Sequence, residues 1–283
     1  MTDASPAPGG AVVTGAGRGL GRAIATMLAR RGHDVLVTDL EQEVAETSAE
    51  AIRAETGGSV GALALDVREE SQCRAAADEA VRRSGRLAVW VNNAAVFFTG
   101  PTWEQDEATR RLMVDVNTTG TVNGTTVAIN AMRRSGGGHV VNIASLAGLV
   151  PVPGEGVYAG TKHGVMGFSL STQADLILAG IRDVTISCIC PDGIWTPMLH
   201  DKLDDPGAAL SFTGKLLQPA EVAAAVEEVL DRPRCVRPVP RWRGVQVRLF
   251  DLMPQLTLRM APLIVKQGRW AQRRLAKKGL PTG

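Results

Sequence analysis

Six short runs of the chain are almost continuously apolar: 11–15 (AVVTG), 34–40 (DVLVTDL), 60–67 (VGALALDV), 87–95 (LAVWVNNAA), 139–145 (HVVNIAS) and 184–191 (VTISCICP). A strand with one wet face alternates apolar and polar residues, whereas a strand covered on both faces has no need to. The runs therefore predict a parallel sheet buried from both sides. Between them, apolar residues recur three or four apart, the spacing of one helix face. In 21–32, Ile24, Met27 and Leu28 share such a face and Gly32 supplies a stop. Repeated strand–helix units imply right-handed crossovers with helices on both faces of an open sheet. The predicted class is α/β, doubly wound and Rossmann-like. Ligands of such sheets lie outside the carboxyl ends of the strands, so chemistry is sought just after each run.

The 283 residues contain neither an internal repeat nor a low-complexity linker, and the pattern first changes near residue 240. We read one domain, 1–240, and an appended segment, 241–283. Charge marks the same boundary. The chain's net charge is +2, yet 241–283 holds ten Lys/Arg and one acid, Asp251, for +9, which leaves −7 for the rest. The hydrophobic fraction of 45% and charged fraction of 21% are those of a soluble globular protein. Cys73, Cys188, Cys190 and Cys235 form no C-x-x-C pair, and the four histidines have no ligand spacing, so no metal is expected. Cys188 and Cys190 share one strand face and read as small buried hydrophobes. The opening MTDASPAPGG lacks the basic and apolar regions of a secretion signal, and nowhere do 18 apolar residues run together. The N-x-T triplets at Asn117 and Asn123 then read as accidental, and the cytoplasm as the location.

After the first run comes TGAGRGLG, Thr14–Gly21. A turn from strand to helix offers free backbone N–H groups and the positive end of a helix dipole to an anion, and glycines let a diphosphate come close. Counting from Gly15, the third glycine of G-x-G-x-x-G would be residue 20, which is Leu20. The spacing instead fits T-G-x-x-x-G-x-G, with Thr14, Gly15, Gly19 and Gly21. Asp39 ends the second run. A carboxylate there accepts hydrogen bonds from ribose hydroxyls and repels a 2′-phosphate, which favours NAD over NADP. Arg18 and Arg22 argue the reverse.

Tyr158 is the one tyrosine of the chain, and Lys162 follows four residues later in YAGTKHGVMGFSLSTQADLILAG. On one helix this spacing puts both on one face. A phenol, with a pKa of about 10, is a poor base near neutrality. A nearby ammonium stabilises the phenolate, so Lys162 is expected to lower the Tyr158 pKa. Ser145, at the end of the fifth run, can donate to a substrate oxygen on which negative charge develops. The set suits proton transfer in an alcohol–ketone interconversion.

From about 10 to 240 the glycine spacing, Ser145 and Y-x-x-x-K together resemble the short-chain dehydrogenase/reductase family. The resemblance implies a seven-stranded parallel sheet, with the last strand near 235–240, and a catalytic group of Asn117, Ser145, Tyr158 and Lys162. Asn117 lies in a helix-like stretch, 104–134; the family uses it to hold a proton-relaying water, while its local sequence also suits an exposed polar position. The implied cofactor set is Gly15, Arg18, Gly19, Leu20, Gly21, Asp39, Asp66, Val67, Asn93, Tyr158, Lys162, Ile194 and Thr196. Asp66 reads equally as a helix cap, and so does Thr196. Two positions depart from the pattern. NNAA (92–95) replaces N-N-A-G, and in PDGIWTP (191–197) Asp192 takes the usual glycine place, which puts a carboxylate near the nicotinamide.

The expected activity is NAD-dependent interconversion of a secondary alcohol and a ketone. The alternatives are an NADPH-dependent reductase and a non-catalytic nucleotide-binding regulator or membrane-associated scaffold. Phe97, Phe98, Leu146, Val150–Pro153, Trp195, Met198 and Leu199 are the expected pocket walls, which favours a small hydrophobic alcohol or ketone, such as a steroid, retinoid, terpenoid or long-chain alcohol, over a sugar. The resemblance suggests a homodimer or homotetramer through the helices of the fourth and fifth crossovers. In 241–283, Leu249, Met253, Leu256, Met260 and Leu263 recur at helical spacing among arginines, with Pro254 and Pro262 expected to break the run into short helices. Such a segment suits either a peripheral membrane contact or a cap on the domain or on a partner subunit. A nucleic-acid partner is not expected.

Overall fold

The structure, a computed structural model, describes residues 8–277. Most of the amino-terminal stretch read above for a signal (residues 1–7) and the last six residues of the appended segment (278–283) lie outside the described residues. One sheet contains seven parallel strands: β1 Gly10–Val13, β2 Asp34–Asp39, β3 Val60–Ala64, β4 Leu87–Asn92, β5 Gly138–Ile143, β6 Val184–Pro191 and β7 Val236–Val239. Their order is β3-β2-β1-β4-β5-β6-β7, so the chain reverses its direction of travel between β1 and β4.

The helices cover both faces, as the apolar runs require. On one side lie α1 Gly19–Arg30, α2 Gln42–Thr56 and α8 Pro219–Asp231, packed on Ala11, Val13, Val35 and Val91. On the other lie α3 Glu70–Ser84, α5 Gly120–Ser135 and α6 Gly156–Leu178, packed on Val12, Leu36, Leu87 and Trp90. Successive strand residues point to opposite faces. In β1 both sets are fully buried, which is why the strand shows no polar alternation. Cys188 and Cys190 are buried with Met166 in a third apolar cluster.

The predicted runs overshoot four strands at the carboxyl end: β1, β3, β4 and β5 stop two or three residues early. The overshooting residues, Gly15, Leu65, Asp66, Asn93 and Ser145 among them, line the cleft above the sheet.

Past β7 the chain forms α9 Arg241–Asp251 and α10 Pro254–Lys277. The expectation of short helices is corrected here. Pro254 opens α10, where a missing N–H costs nothing, but Pro262 lies inside a continuous helix. The downstream half is held from outside. Gly268 lies so close to the segment 197–213 between β6 and α8, called the lid below, that a Cβ would sit 2.2 Å from Ala209 O, and Gln272 Nε2 donates to Lys202 O at 2.7 Å and Asp205 O at 2.8 Å. Tertiary contact thus offsets the local helix defect.

Candidate active site

The glycine turn joins β1 to α1. Gly15 has φ +60°, in the left-handed region, and a Cβ on Gly21 would lie 2.3 Å from Gly15 O, so neither position accepts a side chain. Asn93 pins the turn to β4: its Nδ2 donates to Thr14 O (2.9 Å) and Gly15 O (3.0 Å). Thr14 Oγ1 in return accepts from the amides of Asn93 and Ala94, each at 3.0 Å. No side chain caps α1 at Arg18. Asp39 ends β2, with Oδ2 accepting from Gly17 N (3.0 Å) and Oδ1 from Leu40 N (2.9 Å). A Cβ on Gly17 would sit 2.7 Å from Asp39 Oδ2 and 2.3 Å from Val44, a close approach that the motif alone did not reveal. Asp66 caps no helix. Its carboxylate takes two bonds from Arg68 Nε, at 2.9 and 3.0 Å, and this pairing holds it below the usual carboxylate range.

Ser145 follows β5 by two residues and accepts from Ala147 N at 3.1 Å. Tyr158 and Lys162 lie on α6 as predicted, with Lys162 Nζ 5.6 Å from the phenol ring centre and donating to Ile143 O at 2.9 Å. Phe97 meets the Tyr158 ring edge-on, centroids 4.7 Å apart. Burial lowers the Lys162 ammonium to about 8. Burial, and then the charge of Glu155, push the Tyr158 phenol above its ordinary value, against a smaller opposing hydrogen bond with Ser145. Asn117 is fully buried, not exposed, in a π-helical turn, Asp115–Thr119, between α4 (Glu107–Val114) and α5. Its side chain accepts from Val96 N (2.8 Å) and donates to Val96 O (2.9 Å) and Thr161 Oγ1 (3.2 Å). It braces the strand-four loop and does not line the cleft.

Beyond β6, Ile194 pairs with Leu217, and Thr196 precedes the short helix α7, Pro197–His200. The Thr196 hydroxyl makes no capping bond and turns back to Ile194 O at 3.4 Å. Trp195, read as a pocket wall, instead stacks on His200 and packs with Phe212 beneath the lid. Asp192 has a partner that nothing local announced: Arg243 of α9 donates Nε to its Oδ2 at 2.9 Å and Nη2 to Thr213 Oγ1 at 3.1 Å. Both partners are mostly buried, with side chains 17% and 11% exposed.

One cavity of about 870 Å³ runs from the glycine turn past Asp39, Asp66 and Val67 to Ser145, Tyr158 and Lys162. Arg18, Gly19, Leu20, Gly21, Asn93, Ile194 and Thr196 line it as well. Of the predicted site residues only Asn117 stands behind the wall. Phe97, Val152, Leu210 and, from α9 and α10, Phe250, Leu258 and Ile264 line the cavity too. The tail contribution was missed because its apolar spacing did not say which face turns inward.

The family model described as short chain dehydrogenase matches residues 10–207. A cyclopentanol dehydrogenase from Comamonas sp. (strain NCIMB 9872) is 33% identical over 220 residues, covering 76% of this chain and 86% of the relative. A trans-4-hydroxycyclohexanecarboxylate dehydrogenase from Sinomonas cyclohexanicum is 34% identical over 193 residues, 66% and 73% of the two chains. Among solved structures, a short chain dehydrogenase/reductase from Burkholderia phymatum in complex with NAD superposes with TM-score 0.79 at 27% identity, over 91% of this chain and 97% of that one. The chain belongs to the short chain dehydrogenase family and is an oxidoreductase of it.

Proposed function

We propose that this oxidoreductase is an NAD-dependent dehydrogenase that interconverts a secondary alcohol on a small, largely hydrophobic ring and the corresponding ketone. The observation that carries the reading is the meeting of Ser145, Tyr158 and Lys162 in one cavity with the glycine turn and Asp39. Both curated relatives named above are dehydrogenases of ring alcohols. Bound NAD would accept the hydride that leaves the carbinol carbon. In that direction Tyr158 would act as the phenolate, favoured by the positive charges of Lys162 and of the oxidised nicotinamide, and take the hydroxyl proton; in ketone reduction the phenol returns it. Ser145 holds the same oxygen, and Lys162, fixed by Ile143 O, keeps a positive charge beside the phenol. Asn117 keeps the loop of Val96 in place behind them. Asp39, presented by Gly17, is the acceptor for ribose hydroxyls. One observation favours the NADPH reading: Arg18 lines the cavity, and its side chain has neither a hydrogen bond nor an ion pair among the described residues.

The test is oxidation of cyclopentanol and cyclohexanol, followed by NADH absorbance. Tyr158→Phe should bind NAD as the wild type does and lose about 10²–10⁴-fold in turnover; near-normal turnover would exclude Tyr158 as the acid/base.

A second part of the proposal concerns α9 and α10. No helix among the described residues is long and apolar enough to cross a membrane. Trp242, Leu249, Leu256, Leu263 and Trp270 are nonetheless exposed on these helices, within a segment of net charge +9. This supports a peripheral contact with an anionic lipid surface. Co-sedimentation with anionic but not neutral vesicles, weakened in a Trp242→Ser, Trp270→Ser double variant, is the expected result; equal pelleting by both proteins would reject it. The exposed Leu170, Ile177 and Leu178 of α6 support a homo-oligomer through that helix.

A further inference from the structure

Glu155 has none of the roles assigned above. It is the N-cap residue of α6, but its side chain caps nothing. Its amide donates to Val152 O and its carbonyl accepts from Ala159 N, so its backbone is satisfied without it. The carboxyl turns into the protein and is only 2% exposed. Oε1 accepts from Ser211 Oγ at 2.6 Å, and this is the side chain's one hydrogen bond among the described residues. Glu155 and Ser211 both line the cavity that holds Tyr158, so Oε2 is left to that cavity.

The cations nearby are engaged elsewhere: Arg243 pairs with Asp192, and Lys202 with Asp205. Burial, helped by those two carboxylates and opposed by the Ser211 hydrogen bond, pushes Glu155 up to about 8, so near neutrality it is a protonated acid able to donate. A buried carboxyl with one bond costs stability unless something else meets its free oxygen.

We propose that Glu155 and Ser211 form a second oxygen-binding point, so that the preferred substrate carries a second hydroxyl or carbonyl across the ring from the reacting carbinol. The inference rests on the dehydrogenase reading for which oxygen meets Tyr158 and deepens it. Glu155 precedes α6 and Tyr158 lies in its first turn, and both line the one cavity of about 870 Å³, which has room for a six-membered ring. A ring whose first oxygen meets Ser145 and Tyr158 therefore presents a 1,4-related oxygen to Glu155. The acid donates to that oxygen, and the rotatable Ser211 hydroxyl accepts or donates as needed.

The experiment titrates trans-1,4-cyclohexanediol and cyclohexanol calorimetrically into the full chain with saturating NADH, a complex from which no oxidation proceeds. The wild type should bind the diol about tenfold more tightly than the mono-alcohol. The ratio should fall to about one in Glu155→Leu, fall partway in Ser211→Ala, and survive in Glu155→Gln, which keeps a donor and an acceptor. A wild-type ratio near one, absent diol binding, or a ratio unchanged in both Glu155→Leu and Ser211→Ala would overturn the proposal. If Glu155→Leu fails to fold, the wild-type ratio and Ser211→Ala decide. Turnover of the two alcohols with NAD is measured alongside. Failure there defeats the dehydrogenase reading, whereas the binding ratio alone decides Glu155.

Discussion

Replacing Glu155 with glutamine should remove a pH dependence of stability that the wild type carries from mildly acidic to neutral solution. In the unfolded chain the carboxyl titrates near 4.5, and in the folded protein near 8. Between these values the folded state holds a proton that the unfolded state has released. Stability therefore falls as pH rises, by about 1.36 kcal/mol per pH unit for one group. From pH 5 to 7.5 that amounts to roughly 3 kcal/mol. Three other buried groups act with the opposite sign: His33, which burial lowers from its ordinary value, His139 and Lys162. His139, lowered to about 4 by burial, adds stability as pH rises to its ordinary 6.5. Lys162, lowered from 10.5 to about 8, adds it only as pH rises above 8. These groups, and the Asp192–Arg243 and Asp205–Lys202 pairs that face Glu155, are present in both proteins and cancel in the difference between them. The assay is urea unfolding of wild type and Glu155→Gln by tryptophan fluorescence, at fixed ionic strength, in steps across that range. The glutamine variant should gain on the wild type steadily with pH. A difference that stays constant would mean that Glu155 ionises at its ordinary value, and the neutral donor on which the second oxygen site depends would be gone.

Asp39→Ala should weaken NAD binding about tenfold, through lost hydrogen bonds to the ribose, and relieve repulsion of a 2′-phosphate. Fluorescence titration with NAD and NADP would show the ratio moving toward NADP, and an unmoved ratio would clear Asp39 of any part in the choice. Arg243→Met should cost about 2–4 kcal/mol by leaving the Asp192 carboxylate without its cation in a mostly buried loop. Adding Asp192→Asn should recover part of that loss; strictly additive unfolding energies would show that the pair does not couple α9 to the β6 loop.

Much of the fold was legible because burial on both faces imposes a pattern that can be counted locally. The site was legible for a related reason: the strand runs continue past the strands into residues such as Ser145 and Asn93, which pack under the cleft. What local pattern does not contain is the partner of a residue far along the chain. Pro262 predicts a break only while the helix is considered alone, and Gly268 and Gln272 decide otherwise by contact with the lid. The burial that raises the Tyr158 phenol is likewise absent from the local pattern, because spacing reports an ammonium nearby but not how deeply the ring is packed. Asp192 is the instructive case. Read in its loop, it is an awkward replacement for a glycine; read with Arg243, 51 residues on, it is one half of a bond that draws the tail against the lid. A Cβ on Gly214 would lie 2.4 Å from the Asp192 carboxylate, so that position too is shaped around the pair. A carboxylate in a buried loop costs several kcal/mol without a partner, so its presence beside the cleft already demanded a cation from elsewhere in the chain. The basic tail was the richest source of one. The departure at Asp192 and the extension past β7 are therefore one structural feature, and substitutions at either end should be felt at the wall of the substrate cavity.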